Sequence, residues 1–388
     1  MWINREFNTI ESKLMLALMR NQPENEDKLR NYIKKADMNQ LYALCCEHEV
    51  EGLVASNIMS LSLCALPKAW EESYEAQKEK MEELKYTANR IADIFYQEGV
   101  DVIVLKNGGI MLAMEQDSAR CAMGDLDLLV LKEDIRKAHK ILEDHGFKFL
   151  FRSECEKEDL EQAIKDGSTE YYISGECIDK IWVELAWRAI AGRWIRRDLE
   201  PDTEDLFSRA VTVEGSHVKV LAPEDNLLQV CIHTAKHSYV RAPGLRLHLD
   251  VERIVAYKKI DWEAFMCKVD EVHVKTAVYY SLLIPKILFH TAVPDEVLKK
   301  LEPVEWKKRI IQKYIVKSGL MHPECEKFSR FEFLLFQTSL YDSMGDVIKV
   351  LNPGKKWMME RYEFKHSIFM PYYVFLRGLD LAGIRKRK

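Results

Sequence analysis

The sequence predicts an α+β protein in which a mixed-sheet core is flanked by N-terminal and C-terminal helical regions. Two observations carry this prediction. Apolar residues recur at spacings of three and four before residue 98 and after residue 223, a periodicity typical of amphipathic helices. Between these regions, short apolar runs are separated by glycine-containing turns, as in a sheet. We therefore expect a helical region at 1–98, an α/β core at 99–222 and a helical domain at 223–388.

The helical region before the core contains one long predicted helix. The charged stretch from Trp70 to Arg90 carries apolar residues at Met81, Leu84 and Ala88, and these positions share one helix face. We expect that face to be buried and the charged face to be solvated. After the core, Pro223 followed by two acidic residues predicts the first helix of the C-terminal domain, because proline and acids favour the first turn.

The core elements follow from apolar runs and the residues that interrupt them. In chain order, we expect a strand at 102–105, a turn at 106–109, a helix at 110–116, a strand at 124–130, a helix ending at Gly146, and strands at 147–151, 170–174 and 178–187.

The composition indicates a folded protein of a reducing compartment. Its net charge of -5 argues against binding nucleic acid through a global basic field. The nine cysteines form no C-x-x-C pair, as is usual in a reducing cytosol. No leader pattern and no run of 18 apolar residues occurs, so we expect a cytoplasmic protein without membrane or nucleic-acid partners. The basic tail Arg385-Lys386-Arg387-Lys388 is most simply a solvated end.

Two carboxylates lie within the predicted strand Met123-Gly124-Asp125-Leu126-Asp127-Leu128-Leu129-Val130. Because side chains alternate along a strand, Asp125 and Asp127 project from the same face. Like charges on one face are unfavourable unless a cation lies between them, and carboxylate oxygens suit Mg²⁺ or Mn²⁺. Asp-x-Asp is also common at solvated edges. The motif alone therefore leaves a metal site and a solvated edge open.

A third acid, Glu184, is isolated in the apolar run Ile181-Trp182-Val183-Glu184-Leu185-Ala186-Trp187. Burial of an unpaired carboxylate is unfavourable, so Glu184 needs a partner. That partner is either a basic side chain or a metal shared with Asp125 and Asp127 from a neighbouring strand. Lys106, Gly108, Gly109 and Arg120 are candidates for phosphate binding, through backbone N–H groups and charge-assisted hydrogen bonds. Gly-Gly is by itself a weak signal.

These motifs together resemble the nucleotidyltransferase superfamily of the DNA polymerase β type, and more narrowly a bacterial group described only as nucleotidyltransferase family proteins. The resemblance lies in Val104-Leu105-Lys106-Asn107-Gly108, Arg120, the acidic strand from Met123 to Val130, Gly146-Phe147, Leu227-Leu228, His233, His237, Arg246, Leu249 and Asp250. It covers roughly residues 90–260, and the flanks are similar only in helical character.

The resemblance implies a nucleotidyltransferase-type core and assigns roles to its residues. It makes Asp125, Asp127 and Glu184 catalytic residues and ligands of Mg²⁺ or Mn²⁺, with Glu184 the candidate general base. The implied phosphate and nucleotide contacts are Lys106, Asn107, Gly108, Gly109, Arg120, His233, Lys236 and His237. Asn107 stands where the group usually has glycine, and Gly109 where the superfamily usually has serine.

The implied reaction is metal-dependent transfer of NMP from an NTP, ATP or GTP, to a hydroxyl or phosphate of a small molecule, a peptide or a protein. Kinase-like phosphoryl transfer on the same scaffold is one alternative. A catalytically silent nucleotide-binding or interaction module is another, and Asn107 and the missing serine favour it.

Several weaker signals have structural alternatives. His233 and His237 at i, i+4 predict one shared helix face, but without a third ligand they make a poor zinc site. The resemblance places them with Lys236 and Asp250 in the cleft, and a structural role between helices is equally open. Two further groups could contact a base or an anionic acceptor, although packing and a solvated loop are their simpler interpretations: the aromatic residues Tyr171, Tyr172, Tyr279, Tyr280, Phe369, Tyr372, Tyr373 and Phe375, and the basic patch Arg188, Arg193, Trp194, Arg196 and Arg197.

Overall fold

A seven-stranded mixed sheet forms the centre of the structure. The structure is a computed structural model, and it describes residues 3, 7–21, 24–114, 117–152, 159–190, 195–237, 244–320 and 328–381. The strands are β1 (Ile103–Val104), β2 (Asp125–Leu129), β3 (Lys148–Phe149), β4 (Ser168–Ile173), β5 (Ile181–Ala186), β6 (Val211–Thr212) and β7 (Lys219–Val220). Their order across the sheet is β3-β4-β5-β2-β1-β7-β6. Strands β2 and β5 are parallel, as are β1 and β7, and the other neighbours are antiparallel. This architecture confirms the predicted fold class.

Helices precede, interrupt and follow the sheet. Those before it are α1 (Ile10–Met19), α2 (Glu26–Ile33), α3 (Met38–Glu47), α4 (Glu51–Ser60) and α5 (Lys68–Gln97). Those among the strands are α6 (Lys106–Met114), α7 (Ile135–Asp144), α8 (Leu160–Asp166) and α9 (Thr203–Arg209). Those after it are α10 (Pro223–His237), α11 (Leu245–Tyr257), α12 (Trp262–Val272), α13 (Lys275–Leu288), α14 (Asp295–Leu301), α15 (Glu305–Ser318), α16 (Arg330–Ser339), α17 (Met344–Leu351), α18 (Lys355–Tyr362) and α19 (Met370–Leu381).

Helix α5 is the long amphipathic helix that the sequence predicts. Met81, Leu84 and Ala88 are buried on one side of it, and the charged side faces solvent. Across the described residues, we find no helix with the length and apolar character that a membrane crossing requires.

The two faces of the sheet differ in chemistry. Leu126 and Leu128 of β2 are fully buried and join the main hydrophobic core with residues of α5 and α7. The alternate residues Asp125 and Asp127 project from the opposite side, which we call the acid face. Beyond them, Leu129 packs with Leu206 of α9 in a separate small core. Helix α9 therefore covers the carboxyl end of β2, while the two aspartates remain partly exposed.

The β4–β5 connection is fixed by a carboxylate from α5. Glu83 accepts hydrogen bonds from the backbone N–H groups of Glu176, Cys177 and Ile178. The predicted turn at Gly175 is closed by its N–H, which donates to the carbonyl of Ile178 at 3.0 Å. This anchor ties the start of β5, and so the position of Glu184, to the longest helix.

Two parts of the predicted core are corrected. Residues 106–109 form the first turn of α6 and not a separate turn, because the glycines there pack against β1 within a helix. The β6–β7 hairpin was not predicted. It has a sequence signal, alternating Val211, Val213 and Val218 around Gly215, whose φ of +72° suits glycine in the turn.

His248 of α11 gives the folded protein a pH-dependent stability. The residue is fully buried, and burial lowers the pKa of its imidazole to about 3. In the unfolded chain the pKa is about 6.5, so protons below that pH bind preferentially to the unfolded state. Its contribution to stability is complete above about pH 6.5 and falls by about 1.4 kcal/mol per pH unit as the pH drops toward 3.

Between pH 6.5 and pH 5, the unfolding free energy of the parent protein should fall by about 2 kcal/mol more than that of His248→Gln, because the variant has no imidazole to protonate. Urea denaturation at several pH values measures this difference. The matched control is His366→Gln, since His366 is exposed. The same pH dependence in the parent protein and in His248→Gln would contradict the prediction.

Candidate functional site

The three predicted acids lie on one face of adjacent strands. Because β2 and β5 are parallel, Asp127 is paired in register with Glu184, and Asp125 with Trp182. Neighbouring strands lie about 4.8 Å apart, and paired residues point to the same side of the sheet. The side chain of Asp127 is 12% exposed and that of Asp125 is 28% exposed. The structure thus brings together the acids that the sequence predicts, and the two aspartates are partly exposed to solvent.

Basic side chains neutralise both aspartates. Lys106 Nζ lies 2.5 Å from Oδ1 of Asp127. Arg152 Nη1 lies 2.6 Å from Oδ2 of Asp125. Carboxylates this close together are unfavourable without cations, so these two ion pairs stabilise the acid face.

The charge at Asp127 is nevertheless only partly compensated. Burial raises the pKa of Asp127 to about 7; Lys106 acts in the opposite direction, and Glu184 and Asp125 raise the pKa further. The pKa of Lys106 is also raised, because the neighbouring carboxylates outweigh the effect of its burial. A further cation beside these acids would therefore be favourable.

The donor set suits a hard divalent cation. Carboxylate oxygens from β2 and β5 are the ligands that Mg²⁺ and Mn²⁺ prefer. Among the residues that the structure describes, no three His, Cys, Asp or Glu side chains converge closely enough to hold a metal ion. Asp127 is engaged by Lys106 and Asp125 by Arg152. The acids match such an ion in chemistry and register, and it would compete with Lys106 and Arg152 for them.

Helix α6 begins beside the acid strand with the sequence Lys106-Asn107-Gly108-Gly109. A Cβ atom on Gly108 would lie 2.8 Å from Cγ1 of Val104, and one on Gly109 would lie 2.6 Å from the Val104 carbonyl oxygen. Glycine therefore allows the helix to approach β1 closely. Lys106 has a φ of +51°, a conformation uncommon outside glycine, at the strand-to-helix junction. The N–H groups in the first turn of a helix favour a bound anion, which is consistent with the predicted phosphate contact. Phosphate binding at α6 stays a prediction.

Asn107 has a structural contact. Its Nδ2 donates to the carbonyl oxygen of Ala122 at 2.8 Å, and Nη1 of Arg246 donates to the same oxygen at 2.9 Å. These bonds join α6 and α11 to the segment that enters β2. Asn107 thus positions the acid strand, which gives a reason for its presence where the resembling group usually has glycine.

Basic residues of α10 and α11 lie near Lys106, because both helices contact α6. Burial places the pKa of His233 well below its ordinary value, and the charges of Lys106, His237, Lys236 and Arg246 lower it further. The rings of His233 and His237 lie 4.8 Å apart, as their spacing on α10 predicts. Of the residues predicted to contact nucleotide, His233 thus lies near Lys106, Lys236 and His237.

Comparison with known proteins identifies the family. The family described as "Uncharacterised nucleotidyltransferase" matches residues 34–290, well over half of the chain. The chain belongs to this nucleotidyltransferase family. No curated protein matches it. A solved structure with a likeness to it, an antigenic nucleotidyltransferase-like protein from Paracoccidioides brasiliensis, has 11% sequence identity and a TM-score of 0.34, over 56% of this chain and 96% of the other.

Two predicted site residues of this nucleotidyltransferase-family protein have structural partners. Arg120 Nη1 donates to Oδ1 of Asn57 at 2.7 Å, which joins the segment before β2 to α4. Asp250 is buried and lies 3.3 Å from Nη1 of Arg253, whose guanidinium also donates to the Arg120 carbonyl. These contacts favour a scaffolding role over the predicted phosphate contact of Arg120 and the predicted place of Asp250 in the cleft.

The predicted basic patch is not a solvated surface where it is described. Arg188 forms an ion pair with Glu200. Arg196 is 9% exposed and lies 3.0 Å from the buried carboxylate of Asp346, which joins the core to α17. The structure describes no side chain for Arg197. Arg193 and Trp194 lie outside the described residues, as does the basic tail.

The predicted aromatic clusters divide by burial. Tyr171, Tyr279 and Tyr280 are buried, which confirms packing as their role. Tyr372 and Phe375 on α19 are more than half exposed. Tyr172 is half-buried on the acid face, one residue from the buried Tyr171.

The sequence analysis missed Arg152 and Glu170. Arg152 Nη2 lies 3.0 Å from Oε1 of Glu170, and Glu170 is paired in register with Glu184 across β4 and β5. The sequence signal for Glu170 was its alternation with Tyr172 in β4. This signal points to the acid face only when the order of the strands is known, and the sequence does not give that order.

Proposed function

We propose that the protein is a metal-dependent nucleotidyltransferase that moves NMP from an NTP, ATP or GTP, to a hydroxyl or phosphate of a small-molecule, peptide or protein acceptor. The observation that supports it is the mixed charge around Lys106. The acids Asp127, Glu184 and Asp125 act on Lys106, and α6, which carries Lys106, also contacts α10 and α11 with their basic residues. A metal-bound triphosphate matches both sets of residues, because the metal ion pairs with the acidic side chains and the phosphate oxygens pair with the basic side chains.

Asp125, Asp127 and Glu184 would hold Mg²⁺ or Mn²⁺. When bound, such ions stabilise the attacking and leaving oxygens of an in-line displacement. Lys106, released from Asp127, would reach the triphosphate together with the N–H groups of the first turn of α6.

The proposed reaction breaks one phosphoanhydride bond and forms a phosphoester bond with a hydroxyl acceptor, or a new phosphoanhydride bond with a phosphate acceptor. The acceptor oxygen forms a bond to the α phosphorus, and the bond from that phosphorus to the oxygen bridging to the β-phosphate breaks. Pyrophosphate leaves, and the proton of an acceptor hydroxyl passes to Glu184. Lys236, His237 and Arg246 would neutralise charge that develops on the leaving pyrophosphate, a form of electrostatic stabilisation that contributes strongly to catalysis.

Label transfer tests this proposal. The protein is incubated with cell extract, Mn²⁺ or Mg²⁺, and ATP or GTP labelled at either the α or the γ phosphorus. We expect label from the α position to appear in an acceptor, with release of pyrophosphate. Transfer from the γ position alone would mean phosphoryl transfer and would overturn the proposal. No transfer from either position, together with no metal-dependent NTP binding, would support a silent module.

A further inference from the structure

A row of side chains crosses the acid face from the edge of the sheet to the catalytic acids. Lys148 of β3 is paired in register with Tyr172 of β4, Tyr172 with Trp182 of β5, and Trp182 with Asp125 of β2. Residues paired across strands project to the same face, about 4.8 Å apart. The row is therefore about 14 Å long, and Asp125 is at its inner end.

Two aromatic rings form the middle of the row. The ring centroids of Tyr172 and Trp182 lie 5.4 Å apart with 48° between the ring planes. Both side chains are half-buried, whereas the neighbouring Tyr171 and Val183, which face the main core, are at most 1% exposed. The rings thus present apolar, planar surface on the face that carries the acids.

Cations surround these rings. The ammonium of Lys180 lies 4.8 Å from the centre of the Tyr172 ring, and that of Lys148 lies 5.6 Å from it. The guanidinium of Arg152 lies 5.6 Å from the centre of the Trp182 ring. Lys148 and Lys180 are exposed, and neither forms an ion pair with a carboxylate in the described part of the chain. In a protein with a net charge of -5, these cations make a local site for a negatively charged group.

The row is on the side of β2 away from the proposed NTP site. The sheet order places β5, β4 and β3 on one side of β2, and places β1, which leads into α6 and Lys106, on the other. A molecule bound along the row would thus approach the acids from the side opposite the triphosphate. In-line displacement requires this arrangement of the acceptor and the leaving group.

We propose that Lys148, Tyr172, Trp182 and Lys180 form the acceptor site, and that the acceptor is a small planar aromatic molecule carrying a negatively charged group. Its ring stacks on Tyr172 and Trp182, and its charged group binds the two lysines. Its reacting oxygen reaches the acids at the inner end of the row, where Asp125 lies and Glu184 follows two residues after Trp182 on the same face. A row of about 14 Å matches the length of one ring system with its substituents. This inference rests on the proposed function and names the acceptor class.

Binding of 1-naphthyl phosphate tests the proposal, because the probe joins a planar ring to an anionic group. The measurement uses the full chain without metal or NTP, by fluorescence anisotropy, so it is independent of label transfer. We expect saturable binding that is at least about tenfold tighter than that of 1-naphthol, which lacks the charge, or of inorganic phosphate, which lacks the ring; stacking on aromatic side chains contributes this magnitude.

Variants locate the bound probe. Trp182→Ala, and separately the double variant Lys148→Gln with Lys180→Gln, should each weaken binding about tenfold. The double variant changes only exposed residues, so it remains informative if Trp182→Ala does not fold. Tyr86→Ala, which removes an exposed ring on α5, should have no effect, and binding of a non-hydrolysable NTP analogue with Mn²⁺ should be unchanged in all three variants.

Three results would overturn the acceptor site: no saturable binding of the probe, equal affinity in the parent protein and both site variants, or binding of a ten-nucleotide RNA that depends on these residues while the probe does not bind. The last result would indicate a nucleic-acid acceptor. Each result is distinguishable from failure of the proposed function. That failure would appear as label transfer from the γ position alone, or as no label transfer and no NTP-analogue binding, with probe binding intact.

Discussion

Asp127→Asn is expected to reduce label transfer by at least about 10³-fold while leaving the protein folded. Asp127 on β2 is paired in register with Glu184 on β5. Its side chain is less exposed than that of Asp125, the other aspartate on β2. Asparagine removes the negative charge of this ligand from the proposed metal site. It keeps the shape of the side chain and an oxygen that accepts a hydrogen bond from Lys106. Transfer rates with α-labelled NTP at saturating Mn²⁺ measure the effect.

The fold is expected to tolerate this change, because the ionised form of Asp127 is itself unfavourable. Burial and the neighbouring carboxylates raise the pKa of Asp127, so a neutral side chain relieves repulsion and loses one charge-assisted bond to Lys106. We expect the unfolding free energy to change by about 1 kcal/mol or less. Asp144→Asn, at an exposed position of α7, is the matched control and should retain activity. Transfer at the parental rate in Asp127→Asn would refute the assignment of Asp127 to the catalytic site.

The strand that carries Asp125 and Asp127 was predictable because its signal is local. Alternation along β2 places Leu126 and Leu128 in the main core and the aspartates opposite, and any sheet that buries the leucines has this result. Glu184 was predictable for a similar reason, since an acid isolated in an apolar strand requires a partner. The sequence could not show that Glu184 is in register with Asp127 and not with a neighbouring position.

The partners of the acids were not predictable in the same way. Arg152 is 27 residues from Asp125 in the chain and reaches it only because β3 and β4 fold back beside β5. Arg120 was predicted at the phosphates on the basis of its position before the acid strand, yet its guanidinium contacts Asn57 on α4. A long, charged side chain can contact groups in several directions, so its partner is decided by tertiary structure.

The glycine pair shows how packing can override a local propensity. Gly-Gly predicts a turn when only the chain itself is considered. Here the absence of side chains allows α6 to pack on β1, and the helix starts at Lys106. The consequence for the site is that Lys106 is held at a rigid strand-to-helix junction, 2.5 Å from Asp127, and not in a loose loop.

Gly109→Ala is expected to destabilise the protein by about 2–3 kcal/mol, although alanine is the better helix former. Helix propensity alone predicts stabilisation by up to about 1 kcal/mol. The new Cβ, however, would lie 2.6 Å from the backbone carbonyl oxygen of Val104 and 3.6 Å from Cγ1 of Val220. Backbone atoms cannot swing aside as a flexible side chain can, so α6 must move away from β1.

The sign of this effect separates close packing from helix propensity. Gly378→Ala on α19 is the matched control, because its Cβ would meet only Cδ2 of Leu351 at 3.8 Å and should be neutral or stabilising. Urea denaturation of both variants measures the difference. Since α6 carries Lys106, Gly109→Ala should also weaken NTP-analogue binding, whereas Gly378→Ala should not. Stabilisation of the protein by Gly109→Ala would show that α6 is not held against β1 by close packing, and the rigid placement of Lys106 beside Asp127 would lose its physical basis.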